Sequence, residues 1–366
     1  MSKEKNRSMT GKELLLYNSL KGLHLLDRTD VHTVVSDLMG LQAQFANYPK
    51  ASLKIRALDY EEADPFRGLV KIWSHRGTMH LVPEDELGLH LAAYDNGGPF
   101  VDGYWGIPRA DAERWSPFIQ DQIRQGNNTR EGLKAACADA GMGEELLYHV
   151  FYGWGGLIRE MVTRGMITCG TGTRKEYCIP LKVEWMDRDE ARRILLRRYF
   201  RHYGPATVSD CRYFFGNWKK PDMDPLLQEL LPELVCTVIG GKKYYSLHEP
   251  VTDAALPECV LVPGFDQLVL GYKDRSRMID DRFLKELTNA AGIVFPSVLV
   301  RGRIRARWKL ADGEVQVSFF DKHLKKDEAA IRRKVREVFG GQVKRITFDG
   351  QCPDGGRVKV HGERIE

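Results

Sequence analysis

The chain has 366 residues and no C-x-x-C pair. Its seven cysteines, Cys137, Cys169, Cys178, Cys211, Cys236, Cys259 and Cys352, are scattered and odd in number. A chain of this length builds its core without covalent staples, so reduced thiols in the cytoplasm are expected and a cysteine zinc site is not. No apolar run approaches about 20 residues, which excludes a membrane-spanning helix. The start, Met1-Ser2-Lys3-Glu4-Lys5-Asn6-Arg7, leads into no apolar segment, so no secretory leader is read. Excess charge is small, +5 with a pI near 8.7, so the distribution of charge must speak for any nucleic-acid partner. H-E-x-x-H, G-x-S-x-G and Walker patterns are missing. Gly170-Thr171-Gly172-Thr173 lacks the spacing of a phosphate loop. Ten histidines show no metal spacing. His75 and His80, five apart, would lie on opposite faces of a regular strand. Neither metal nor cofactor is expected.

What is present is one grammar used three times: helices, then a short hairpin with Gly near its turn. This is the layout of a winged helix, with the hairpin as wing. In residues 9–90, Thr10 and Asp30 can cap two helices, a further helix follows Asp64-Pro65, and Ile72–Val82 reads as a hairpin. In residues 112–182, Thr129 starts one helix and 144–164 reads as a second, long one. The wing is Met166–Cys169 with Glu176–Ile179. In residues 187–250, a basic helix runs from Asp187 to His202, Gly204-Pro205 stops it, and Thr207 starts the next. Val235–Ile239 and Lys243–Leu247 form the third wing around Gly240-Gly241. Residues 255–350 read instead as strands at 260–262, 268–270, 298–308, 315–320 and 344–348, with one helix over 327–339. The predicted fold class is α+β: three tandem winged helices and a small C-terminal sheet or β-barrel, packed into one body.

Basic charge concentrates in three places. Between Arg188 and Lys220 stand nine Lys or Arg against three acids. Arg193, Arg197 and Arg201 share one helix face, which suits phosphates or simply solvent. In Arg301-Gly302-Arg303-Ile304-Arg305-Ala306-Arg307-Trp308 the arginines alternate onto one strand face. Four like charges there call for an anionic answer, from a phosphate backbone or from acids on a neighbouring strand. Lys273-Asp274-Arg275-Ser276-Arg277 is the third stretch, equally readable as a surface turn.

One short motif stands out: Leu41-Gln42-Ala43-Gln44-Phe45, just past the helix stop at Gly40. This places two glutamines at a helix–helix junction, able to reach a cleft or to cap helix ends. Leu41–Gln44 with Asn47-Tyr48-Pro49 and the helix beyond resembles the AlkZ and YcaQ family of winged-helix DNA glycosylases. So do Arg76-Gly77-Thr78-Met79-His80-Leu81-Val82, the stretch Leu261–Arg275 and the stretch Gly292–Arg303. The likeness runs over roughly residues 10–345. It implies three winged helices and a C-terminal β-barrel around a DNA-sized channel, and removal of N7-alkylated purines from duplex DNA, with crosslink unhooking in some members. Gln42 and Gln44 match the subgroup with Q-x-Q rather than Q-x-D. Gly264, where a bulkier residue or Pro is expected, and the tail after Asp349 depart from the pattern.

The resemblance casts Gln42 and Gln44 as the pair that holds the attacking water. An amide is no base at neutral pH, but it offers water both an acceptor and donors. No lysine lies in the motif, so a water nucleophile and a monofunctional hydrolase are expected. Arg76, Thr78, His80, Arg193, Arg197, Lys273, Arg275, Arg277, Arg301, Arg303 and Arg305 form the expected DNA-contact set. The expected partner is alkylated double-stranded DNA, bound by a monomer. Two other classes fit part of the pattern: a non-enzymatic winged-helix regulator, and an enzyme using Asp266 or Glu84 as its carboxylate.

Overall fold

The computed structural model describes residues 9–94, 99–172 and 174–349, and the backbone of His361–Arg364. The chain start, Thr173, Cys352 and most of the tail after Asp349 lie outside the described residues.

Local signals place the first helices. Thr10 caps α1 (Gly11–Gly22) in a reciprocal box with Glu13, and Asp30 caps α2 (Val31–Asp37). Met39 and Gly40 then take positive φ, 56° and 101°, and turn the chain into the two-residue strand β1 (Leu41–Gln42). The expected helix–helix junction is therefore a strand–helix junction, because β1 is followed directly by α3 (Asn47–Arg56). The helix expected after Asp64-Pro65 is a turn over residues 65–68, which only redirects the chain into β2 (Leu69–Trp73). β3 (Met79–Pro83) completes the hairpin, and α4 (Leu87–Ala92) follows.

The middle of the chain holds α5 (Arg109–Arg124), α6 (Arg130–Asp139), α7 (Glu144–Val150) and α8 (Gly156–Thr163). The single long helix expected over 144–164 is broken in two. Gly153-Trp154-Gly155-Gly156 breaks it: Gly156 has φ 75°, a left-handed conformation that glycine adopts at least cost. β4 (Thr168–Cys169) and β5 (Tyr177–Cys178) form the second hairpin. This hairpin does not stand alone. β4 pairs with β2 through Lys71 and Cys169, giving one five-stranded sheet in the order β1-β3-β2-β4-β5.

The third part is α9 (Arg188–His202), α10 (Val208–Phe214, capped by Thr207) and α11 (Lys220–Leu230), then the separate hairpin β6 (Val235–Ile239) and β7 (Lys242–Ser246). Next come β8 (Cys259–Val262), the short α12 (Gln267–Leu270) and α13 (Leu284–Leu287). Residues 268–270, expected as a strand, are helical because Asp266 caps the Leu268 N–H; a short buried apolar run carries no periodicity to tell the two apart. The expected strand 298–308 is a hairpin of β9 (Ser297–Val300) and β10 (Arg303–Ala311). Arg301 (φ 46°) and Gly302 (φ 78°) make its turn. β11 (Glu314–Phe319), α14 (Lys325–Phe339), β12 (Arg345–Asp349) and β13 (His361–Arg364) finish the fold.

The C-terminal sheet has six strands in the order β13-β12-β11-β10-β9-β8. β8 and β13 are its two ends, and no pairing closes it into a barrel among the described residues. One apolar core joins α1, α2, α9, α10 and α11 to this sheet and α14. A second lies between the β2–β3 hairpin and α5–α8. Among the described residues the cysteines are free, and no helix is long and apolar enough to cross a membrane.

Candidate active site

Gln42 sits on β1 directly opposite His80 of β3, so the two side chains share a sheet face. The ladder continues as Ala43 N–H donates to the Met79 carbonyl at 2.8 Å. Gly40 makes the approach possible, since a Cβ there would lie 3.0 Å from the Leu81 carbonyl oxygen. Its own carbonyl accepts from Gln267 Nε2 at 2.8 Å, which ties the motif to the C-terminal part.

The two glutamines are hydrogen-bonded to each other. Gln42 Nε2 donates to Gln44 Oε1 at 2.8 Å, and Arg76 Nη2 approaches Gln42 Oε1 at 3.4 Å. A guanidinium only donates, so it fixes which end of Gln42 faces it and hence the polarity of the chain Arg76→Gln42→Gln44. Gln42 is buried and Gln44 exposed. The exposed end therefore keeps two free amide donors and a spare acceptor lone pair on Oε1. That set can hold one water.

Arg76 is half-buried with φ 54°, a left-handed strain worth on the order of 1–3 kcal/mol. Its Nη1 donates to the Phe214 carbonyl at 3.1 Å and its guanidinium lies 5.5 Å from the Phe214 ring. Among the described residues no carboxylate pairs with it.

Behind Arg76 three histidines meet. The turn at His75–Gly77 ends the strand, so His75 and His80 lie ring to ring at 5.3 Å, with His90 6.0 Å from His75; the opposite-face expectation is corrected accordingly. His75 Nε2 donates to the Met39 carbonyl at 2.7 Å, and Nδ1 accepts from the Tyr94 hydroxyl. Burial, then the neighbouring His80, His90 and Arg76, hold His75 well below its usual value. Burial and Arg76 do the same to His80. Both are neutral.

Beyond Gln44 a cleft of about 750 Å³ opens between α3 and the C-terminal sheet. Phe45, Tyr48, Lys50, Lys54, Arg307 and Lys309 are among its lining. Phe45 is 49% exposed and stacks on Phe265 at 5.8 Å; Tyr48 lies 5.5 Å from the same ring. Gly264 has a reason here. A Cβ at that position would fall 2.4 Å from the Tyr48 ring, so a larger residue would push the tyrosine away.

The expected DNA-contact residues fare unequally. His80 and Arg277 are corrected: both are buried. Arg277 lies 3.8 Å from the Tyr272 ring and bonds Ser19 and the Pro205 carbonyl. Thr78 is half-buried and donates to the His75 carbonyl. Arg193 pairs with Glu229 at 3.1 Å and Arg197 with Glu233 at 2.7 Å. In the arginine run, Arg301 faces Asp327 (2.8 Å), Arg303 Asp280 (3.8 Å), Arg305 Asp321 (2.9 Å) and Arg307 Glu286 (3.0 Å). The anionic answer thus comes from within, though from loops and helices rather than from an adjacent strand. Arg275 bonds the Val269 carbonyl and the Tyr213 hydroxyl. Lys273 is exposed. Of the carboxylates weighed for catalysis, Asp266 forms a buried ion pair with Arg56 at 2.8 Å, and Glu84 opens a short 3-10 turn.

A family model described as DNA glycosylase AlkZ-like matches residues 35–339. The chain belongs to the AlkZ-like family. An interstrand DNA cross-link repair glycosylase of Streptomyces sahachiroi is 24% identical over 335 residues, covering 83% of this chain and 89% of the relative. The solved structure of the Streptomyces sahachiroi DNA glycosylase AlkZ superposes with a TM-score of 0.77 at 21% identity, over 94% of this chain and all of that one. This AlkZ-like chain therefore shares that fold. What the sequence did not disclose is the partner of the glutamines. The sequence predicts Arg76 as a DNA contact, and the only local trace of its tie to the motif is the His75-Arg76-Gly77 turn that gives it a positive φ.

Proposed function

We propose that this AlkZ-like protein is a monofunctional DNA glycosylase that hydrolyses the N-glycosidic bond of cationic N7-alkylated purines, with water held by Gln42 and Gln44. The observation that carries the reading is the Arg76→Gln42→Gln44 chain ending at an exposed amide, beside a cleft of aromatic and basic side chains. The C1′–N9 bond breaks and its electron pair neutralises the purine cation. The water oxygen bonds C1′, and its proton passes to solvent. A cationic base needs no strong acid to leave, so orienting the water and excluding alternatives is most of the task. An uncharged base leaves far too slowly, which makes the substrate range narrow. The kinship to a cross-link repair glycosylase extends the proposed substrates to crosslinks through purine N7, and DNA is bound by one copy of the chain in the cytoplasm. Lys50, Lys273 and Lys309, none with an ion pair among the described residues, carry phosphate contacts ahead of the paired arginines.

The test is single-turnover excision of N7-methylguanine from duplex DNA, scored as abasic sites. Gln44→Ala should slow it on the order of a hundredfold or more, with DNA affinity and Tm nearly unchanged. Gln44→Asp should retain part of the rate, and borohydride should trap no adduct. Wild-type turnover in Gln44→Ala would end the assignment, and a trapped adduct would make a lysine the nucleophile.

A further inference from the structure

We propose that His24, Asp37 and His202 form a binding site for one divalent transition-metal ion of the zinc class. None of the three takes part in the glutamine chain or lines the cleft, and the site is independent of the glycosylase reading. Asp37 is the last residue of α2 and His202 the last of α9. His24 follows the end of α1 by two residues. Three helix C-termini therefore meet here, and the negative end of each helix dipole favours a cation.

His24 Nε2 lies 2.7 Å from Asp37 Oδ2, and His202 Nε2 lies 3.3 Å from Asp37 Oδ1. One ligand atom from each residue falls within 4.8 Å of the others. Tetrahedral ligands at zinc distances stand about 3.4 Å apart, so the closest separation must open by about 0.7 Å and the widest close by at most about 1.4 Å. Two backbone features hold this arrangement. His24 takes φ 55°, uncommon outside glycine. Gly22 has no Cβ, which would fall 2.1 Å from the His202 carbonyl oxygen and part α1 from α9. The side chains keep 14–21% exposure, leaving a fourth position to water. The ion would tie α1 and α2 to α9. The sequence hides such a site because its ligands are 13 and 165 residues apart.

The experiment uses the full chain, stripped with chelator and desalted. Zinc is titrated by calorimetry, cobalt(II) by visible absorption, and melting is followed with and without zinc. The expected result is one equivalent of zinc, with a dissociation constant of about 1 μM or tighter. Cobalt d–d bands should appear without a thiolate charge-transfer band, and zinc should raise the Tm. His24→Gln and Asp37→Asn should each lose the binding. Absence of saturable binding in the wild type overturns the proposal without any variant. So does a thiolate band, which would move the ion to a cysteine such as Cys178 or Cys236, the exposed ones among the described residues. Zinc binding that persists in both variants overturns it as well.

Discussion

Arg76 and Arg305 both lie in hairpin regions, and their electrostatic situations are opposite. Arg305 stands on β10 in a run of four arginines, and each member of the run has a carboxylate within 4 Å. Arg76 stands alone in the first hairpin turn, strained, half-buried and without a carboxylate. The run looks more like a DNA surface than the single residue does. Yet a paired guanidinium must leave its partner before it can serve a phosphate, whereas an unpaired one beside a polar network is held in reserve for it. A count of basic residues measures the first kind of charge and overlooks the second.

Removing the unpaired charge should break the comparison most visibly. Arg76→Met keeps much of the bulk against Phe214 and deletes the donor to Gln42. Excision of N7-methylguanine should fall about tenfold to a hundredfold, since a charge-assisted hydrogen bond contributes about 1.5–3 kcal/mol. Backbone strain does not explain such a loss, because Arg76→Met keeps the strained turn, Arg76→Gly relieves it, and both should be slow. Single-turnover rates for both variants check this; a wild-type rate in either would detach Arg76 from the motif.

The same corner should set the acid limit of the fold. His75 and His80 are buried and neutral, with folded-state values below the ordinary 6.5. An unfolded histidine takes up a proton near 6.5 and these do not, so the unfolded state binds more protons as pH falls. Their contribution is therefore complete above about pH 6.5 and lost below it, by about 1.4 kcal/mol per pH unit for each histidine. Urea unfolding at pH 7.5, 6.5 and 5.5 measures the slope. His80→Asn, an uncharged substitute, should flatten it by about one proton. An unchanged slope would mean that the histidines titrate normally.

The smallest effects should come from the arginines. Arg305→Ala breaks a part-exposed pair, worth less than about 1 kcal/mol, and should leave the salt dependence of DNA binding nearly unaltered. Lys309→Ala should reduce the log–log slope by about 0.9, the share of one phosphate. Fluorescence titrations from 50 to 200 mM salt compare them. A larger slope change for Arg305 than for Lys309 would reverse the assignment.

Much of this architecture was legible locally. Thr10, Asp30, Thr129 and Thr207 act as the caps their side chains announce, because the cap and its helix are only three residues apart. The hairpin at 69–83 and the helices over 188–202 and 325–339 likewise follow from neighbouring residues. What failed was also local but ambiguous. The Gly153–Gly156 break is masked by helix formers on both sides, and Arg301-Gly302 turns a strand that alternation alone would continue. Long-range chemistry was not legible at all. The motif Gln42–Gln44 could be found by resemblance, but its engagement by Arg76 depends on β1 pairing with β3, about forty residues away. The carboxylates that neutralise the arginine run come from two stretches on either side of it, Asp280 with Glu286 and Asp321 with Asp327, and no strand alternation connects them to it.

The pairing of Lys71 with Cys169 has a consequence for ancestry. It stitches two hairpins of different origin along the chain into one ladder. A protein assembled from interchangeable modules could lose or swap its middle part and remain folded. Here, removing residues 112–182 would strip β2 of its neighbour and leave a bare strand edge two strands from Gln42, ready to join another molecule. Descent with the middle unit deleted should therefore be rare.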